Sequence, residues 1–132
     1  MKPVKNLFLV DDDEIFVFLT KKTIEQTKLA DQVKIFDNGK VAIEFIKDAV
    51  DNNDLLPEVI FLDLSMPVMD GWGFLEEYVL LHPSIGKKIT IYILSSSVSP
   101  HDIQRAKMIS VVSDFIIKPL VKEQLVELIK KL

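Results

Sequence analysis

The chain contains no cysteine, which removes disulfide scaffolds, thiol catalysis and cysteine-ligated zinc from consideration and fits a reducing compartment. Histidine is almost as scarce. His82 and His101 are the two present; both are expected at exposed helix ends, and two unclustered imidazoles make no metal site. No apolar run approaches the roughly 20 residues that cross a bilayer. Met1-Lys2-Pro3 leads directly into a strand-like run instead of a secretory core, so a cytoplasmic location is expected. Positive charge is in deficit, with 16 Lys+Arg against 20 Asp+Glu and a net charge of -4. Such a chain has no overall attraction to phosphate backbones or anionic lipid, and neither nucleic acid nor membrane is an expected partner. Repeats, low-complexity tracts and linkers are also missing. What remains is 132 residues, 48% of them apolar, enough for one core and one domain, with no room expected for an output domain.

Apolar runs of strand length alternate with helical patterns, which argues for βαβ units around a parallel sheet. Strands are expected near Asn6 to Val10, Gln32 to Phe36, Val59 to Leu62, Thr90 to Leu94 and Asp114 to Ile117. The first, third and fourth are apolar almost throughout, as strands covered by helices on both faces should be. Helix one is read from Ile15, Phe18, Leu19, Lys22 and Ile24. Helix two follows Asn38-Gly39 with Val41, Ala42, Phe45, Ile46 and Ala49. Phe74, Leu75, Tyr78 and Leu81 mark helix three, stopped by Pro83. Ser99-Pro100 is a good cap and first-turn pair for helix four, which runs through Ile103, Ala106 and Met108. Leu120, Gln124, Leu125, Leu128 and Ile129 give helix five its apolar face, and Lys130 and Lys131 suit the negative end of its dipole.

Charged residues stand at the ends of three of these runs: Asp11 and Asp12 after the first, Asp63 after the third and Lys118 after the fifth. A parallel sheet collects the carboxyl ends of its strands on one edge, so these four side chains converge in one crevice. Adjacent carboxylates repel and raise one another's pKa unless a cation intervenes. A hard divalent ion such as Mg²⁺, or Mn²⁺ in its place, suits such a set, because it binds through one or two carboxylates and keeps positions for water and phosphate oxygens. The crevice is thus built to receive a phosphoryl group. Asp63 stands alone after its strand, ahead of the turn-rich Ser65-Met66-Pro67-Val68-Met69-Asp70-Gly71, and is the expected nucleophile, forming an acyl phosphate. Asp11 and Asp12 are left to hold the metal, and Asp13 reads as a helix cap.

Taken together, Val10-Asp11-Asp12, Asp63-Leu64-Ser65-Met66-Pro67-Val68-Met69-Asp70-Gly71, Leu94-Ser95-Ser96 and Lys118-Pro119 resemble the CheY-like receiver domain of bacterial two-component response regulators. Four pieces in this order, each after an expected strand, are specific where any one is weak. The resemblance spans essentially the whole chain and implies a stand-alone α/β receiver. Its fold would be a (βα)5 doubly wound parallel sheet, flavodoxin/CheY-like, with strand order 2-1-3-4-5. It implies phosphorylation of Asp63 by a phosphohistidine on a sensor histidine kinase or histidine phosphotransfer protein. It further implies Mg²⁺ on Asp11, Asp12, Asp63 and the backbone carbonyl of Ser65, with Asp12 the direct ligand of the acidic pair. Ser95 matches the hydroxyl that turns toward the phosphoryl group, Phe115 the aromatic switch, Lys118 the lysine that contacts the phosphoryl group, and Pro119 follows a cis peptide bond. Output would then pass to a downstream protein through helix four, strand five and helix five, where Arg105, Lys107, Lys122 and Glu123 lie.

The chain departs from the family pattern in places. Ser95 replaces the commoner threonine and Phe115 the commoner tyrosine. The stretch from Ser95 to Lys118 is about one residue longer than usual, with Ser110-Val111-Val112-Ser113 in place of a Gly-Ala pair; Ser96 is the fallback hydroxyl. Ser65 and Ser97 fall at the variable positions that tune acyl phosphate lifetime in the family. Met66 and Met69 read as loop packing, Lys87-Lys88 as a solvated turn, and Trp72 as a packing residue beside the site. Two other functions compete. Asp11-Asp12-Asp13 contains the Asp-x-Asp of a haloacid-dehalogenase-like phosphatase, with Asp11 as nucleophile, although this leaves Asp63 idle. A receiver-like binding module that is never phosphorylated is the other.

Overall fold

The computed structural model describes residues 3–97 and 99–132; Met1 and Lys2 lie outside the described residues. In chain order the elements are β1 (Val4–Val10), α1 (Glu14–Thr27), β2 (Ala30–Phe36), α2 (Gly39–Asp48), β3 (Val59–Asp63), α3 (Gly71–Leu81), a 3-10 turn (His82–Ser84), β4 (Thr90–Ser95), α4 (Pro100–Lys107), β5 (Val112–Ile117) and α5 (Lys122–Lys130). All strand pairs are parallel, and the sheet order is β2-β1-β3-β4-β5. This is the expected order.

Side-chain alternation along the buried strands divides the core into two layers. Phe8, Val10, Ile60, Leu62, Ile91 and Ile93 face α2, α3 and Ala106 of α4. Leu7, Leu9, Val59, Phe61, Tyr92 and Leu94 face α1 and α5. Every residue of β3 and β4 is buried, which explains why these runs lack polar alternation. The helices begin where short polar side chains accept the free first-turn amides. Asp13 accepts from Ile15 and Phe16, Asn38 from Val41, Asp70 from Gly73 and Ser99 from Asp102.

Several expectations need correction. Most of the stripe assigned to α1 faces outward: Ile15, Phe18 and Leu19 are exposed, whereas Ile24 of that stripe is buried as expected, together with Val17 and Thr20. Thr20 occupies a core position that a hydrophobicity pattern skips, so the rotational phase of the helix is misread. Val41 and Met108 are likewise exposed, and Leu120 precedes α5 instead of lying in it. Lys87 is no solvated turn residue. Its ammonium donates to the carbonyls of Asn53 and Leu56 at 3.0 and 2.9 Å and pairs with Glu58, while Glu58 accepts the backbone amide of Asn6.

The extra residue before Lys118 is absorbed in β5. Ile91 pairs with Val112 but Tyr92 pairs with Asp114, so Ser113 forms a bulge. Register is then regular to Ser95 opposite Ile117.

Candidate functional site

β1 and β3 are neighbours at the point where the chain reverses its direction of travel across the sheet, the place where α/β sheets open a crevice. Asp11 is still tied to the sheet edge, its amide donating to Phe36 O at 2.9 Å. Asp63 is the last residue of β3, opposite Leu94. From the far strand, the Lys118 amide donates to Ser95 O at 2.8 Å, and the Lys118–Pro119 bond is cis. The four residues read from strand ends meet at this edge.

The Lys118 ammonium lies 2.8 Å from Asp11 Oδ2 and 3.6 Å from Asp63 Oδ1. Its other neighbour is the ring of Phe16, with the centroid 4.3 Å away; sequence patterning missed this residue, which the Asp13 cap carries into the first turn of α1. Asp11 is 3% exposed. Its Oδ1 accepts the Asp13 amide at 2.9 Å, and its buried Oδ2 is paired with the Lys118 ammonium. Asp63 is 7% exposed. Burial pushes its carboxyl up to about 6 and the Asp11 carboxylate adds to the rise, with a smaller contribution from Asp12; Lys118 and the Leu64 amide oppose it.

One oxygen from each of Asp11, Asp12 and Asp63 can be chosen so that all three lie within 4.8 Å of one another. An all-oxygen, anionic set fits a hard divalent cation that keeps several waters. Beside it opens a cleft of about 430 Å³, lined by Asp63, Ser65, Trp72, Ser95 and Asp102 among others. Ser95 is buried and its Oγ bonds both the amide and the carbonyl of Ser97, at 3.1 and 3.3 Å; Ser96 and Ser97 are exposed in the same cleft. Phe115 is half-buried against the α2–α4 core layer. It also lines a separate cavity of about 270 Å³ between α4 and β5.

The β3–α3 loop is held tightly around the cleft. The Met69 amide donates to Pro67 O at 2.7 Å, the bond of a γ-turn, with Val68 at its centre and a φ of 67°. A β-branched residue in this region is strained. Gly71 is required by proximity: a Cβ there would lie 2.5 Å from the backbone oxygen of Asp63. Met66, Met69 and Trp72 pack on the core, as expected of them. Asp70 lies there as the cap of α3, inside the motif after Asp63, whereas Asp102 in the cleft wall and the Arg105 cation over Trp72 carry no local signal in the sequence, since only the packing of α4 brings them there.

This geometry can hold a cation, accept an anionic group at Asp63 and compensate charge through Lys118. A nucleophilic Asp11 is unsupported, because its carboxylate is engaged by Lys118 and the Asp13 amide, whereas Asp63 opens onto the cleft. Comparison with known proteins gives the family. The response regulator receiver domain family matches residues 7–130. The chain is 32% identical over 119 residues to the two-component response regulator ORR41 of Oryza sativa subsp. japonica, covering 90% of this chain and 87% of that protein. A two-component response regulator from Cytophaga hutchinsonii superposes with a TM-score of 0.87 at 26% identity, covering 98% of this chain and 97% of that one. The phosphorylated cyanobacterial phytochrome response regulator RcpA superposes at 0.77, also 26% identical, over 96% and 89%. Receiver domains bind divalent metal and interact with histidine kinases or phosphotransfer proteins. The chain belongs to the response regulator receiver domain family, the phosphoacceptor modules of two-component signalling.

Proposed function

We propose that Asp63 is the phosphoacceptor and that the chain works as a receiver in the cytoplasm. The observation that carries this reading is a buried carboxylate at the end of β3, 3.6 Å from the Lys118 ammonium and facing the open cleft. An Asp63 oxygen attacks the phosphorus of a phosphohistidine on a sensor kinase or phosphotransfer protein. The P–N bond breaks, its electron pair returns to the imidazole, and the acyl phosphate remains on Asp63. Asp11, Asp12, Asp63 and the Ser65 carbonyl would hold Mg²⁺, which when bound would supply compensation for the charge on the phosphoryl oxygens. Lys118, 3.6 Å from Asp63 Oδ1, shares that charge.

Ser95 is the hydroxyl that turns to the phosphoryl group. Among the described residues its Oγ is held only by the Ser97 backbone, and it is the buried member of the serine pair. Its movement gives Phe115 room to swing inward, and the α4–β5–α5 face passes the change to a protein partner. The phosphoryl group returns to water with assistance from the same residues. Intact-mass analysis with acetyl phosphate and Mg²⁺ tests the assignment: one phosphoryl group is expected on the wild type and none on Asp63→Asn. An unlabelled wild type would restore the binding-module reading, and a labelled Asp63→Asn would refute the acceptor.

A further inference from the structure

Trp72, the second residue of α3, lines the cleft. The guanidinium carbon of Arg105 lies 4.2 Å from the centroid of its ring. This stack reaches from α4 to α3 along the cleft wall. α4 has few other anchors, since Ala106 is its one buried residue, although Asp102 on the same helix also lines the cleft. A guanidinium over an indole at an exposed site biases an equilibrium two- to five-fold, about 0.5–1 kcal/mol.

We propose that Arg105 is a positioning residue for the phosphoryl site: stacked on Trp72, it holds α4 across the cleft and fixes the indole as a wall that restricts water around the group on Asp63. This deepens the phosphoacceptor reading and rests on it. In hydrolysis a water oxygen attacks phosphorus, the bond from phosphorus to the Asp63 oxygen breaks with its electron pair returning to the carboxylate, and the water proton leaves to solvent with inorganic phosphate. A fixed indole leaves water fewer productive approaches; a freed one leaves more.

The test labels the full chain with acetyl phosphate and Mg²⁺, removes the donor and follows loss of the label. Arg105→Gln is expected to speed loss two- to five-fold. Arg105→Lys, which keeps a cation for the ring, should stay within two-fold of wild type, and Arg105→Gln should add nothing on a Trp72→Ala background. In metal-free, unlabelled protein, Trp72 emission should shift with Arg105→Gln and less with Arg105→Lys. Unchanged lifetimes in Arg105→Gln, equal acceleration by Gln and Lys, or multiplying effects of Arg105→Gln and Trp72→Ala would each overturn the proposal while leaving the acceptor intact. A wild type that takes no label overturns the acceptor reading and this one with it.

Discussion

Asp63→Asn should make the metal-free protein more stable at neutral pH. In the folded chain the Asp63 carboxyl titrates near 6, against 3.8 for the ordinary group, mainly because it is buried and faces Asp11. A raised carboxyl pKa means that the fold favours the protonated form. The destabilisation is therefore absent below the unfolded pKa, grows as pH rises between the two values, and is complete above the folded one. Each tenfold difference between the folded and unfolded acid constants is worth about 1.36 kcal/mol, so ionising Asp63 costs the fold about 3 kcal/mol at pH 7.5 and about half a kcal/mol at pH 4. An asparagine resembles the protonated carboxyl and does not titrate. Urea unfolding of both proteins in EDTA, from pH 4 to pH 7.5, reads this group together with its coupling to Asp11, Lys118 and Asp12, because titrations elsewhere in the chain are shared to first order. The expected difference in midpoint at pH 7.5 is roughly 1–2 M for an m-value near 2 kcal/mol/M, closing toward acid. Equal stability at pH 7.5, or a gain that does not change with pH, would refute the electrostatic account. Adding Mg²⁺ should narrow the gap, since a ligand that prefers the folded wild type stabilises it by mass action.

Lys118→Met removes the ammonium between Asp11 and Asp63; breaking so buried a pair is expected to cost about 3 kcal/mol by urea unfolding, and no loss would mean that the ammonium does not balance those carboxylates. Gly71→Ala places a methyl 2.5 Å from the Asp63 backbone oxygen, so it should destabilise by about 2 kcal/mol or more and slow acetyl phosphate labelling; a silent substitution would show that the loop yields freely. Val68→Asn should stabilise by roughly 0.5–1 kcal/mol, because the position has a φ of 67° and is 79% exposed. There the strain is relieved and little burial is lost. A lower thermal midpoint for Val68→Asn would contradict that strain.

The charged edge was legible in the sequence because a parallel sheet makes strand ends equivalent. Once β1, β3 and β5 were recognised as apolar runs, Asp11, Asp63 and Lys118 had one place to meet. Helix caps were equally legible at Asp13, Asn38 and Ser99, where the interaction spans only two or three residues. The outward face of α1 was not. Ile15, Phe18 and Leu19 have helical spacing, yet the phase is decided by which side reaches β1, and Thr20 is buried there in spite of its hydroxyl. Lys87 was misread for a related reason. Its partners Asn53, Leu56 and Glu58 lie about thirty positions away, beyond the reach of local pattern.

By itself the sequence determined the class of fold, the strand ends that carry chemistry and the family, all of which depend on local periodicity and on short motifs in order. Tertiary structure alone decided the bulge at Ser113 that restores β5 to register, the Phe16 ring against the Lys118 ammonium, and the stacking of Arg105 on Trp72. The elevated pKa of Asp63 belongs with these. Burial and the distances between charges set it, and both come into being only when separate strands and helices close over the same edge.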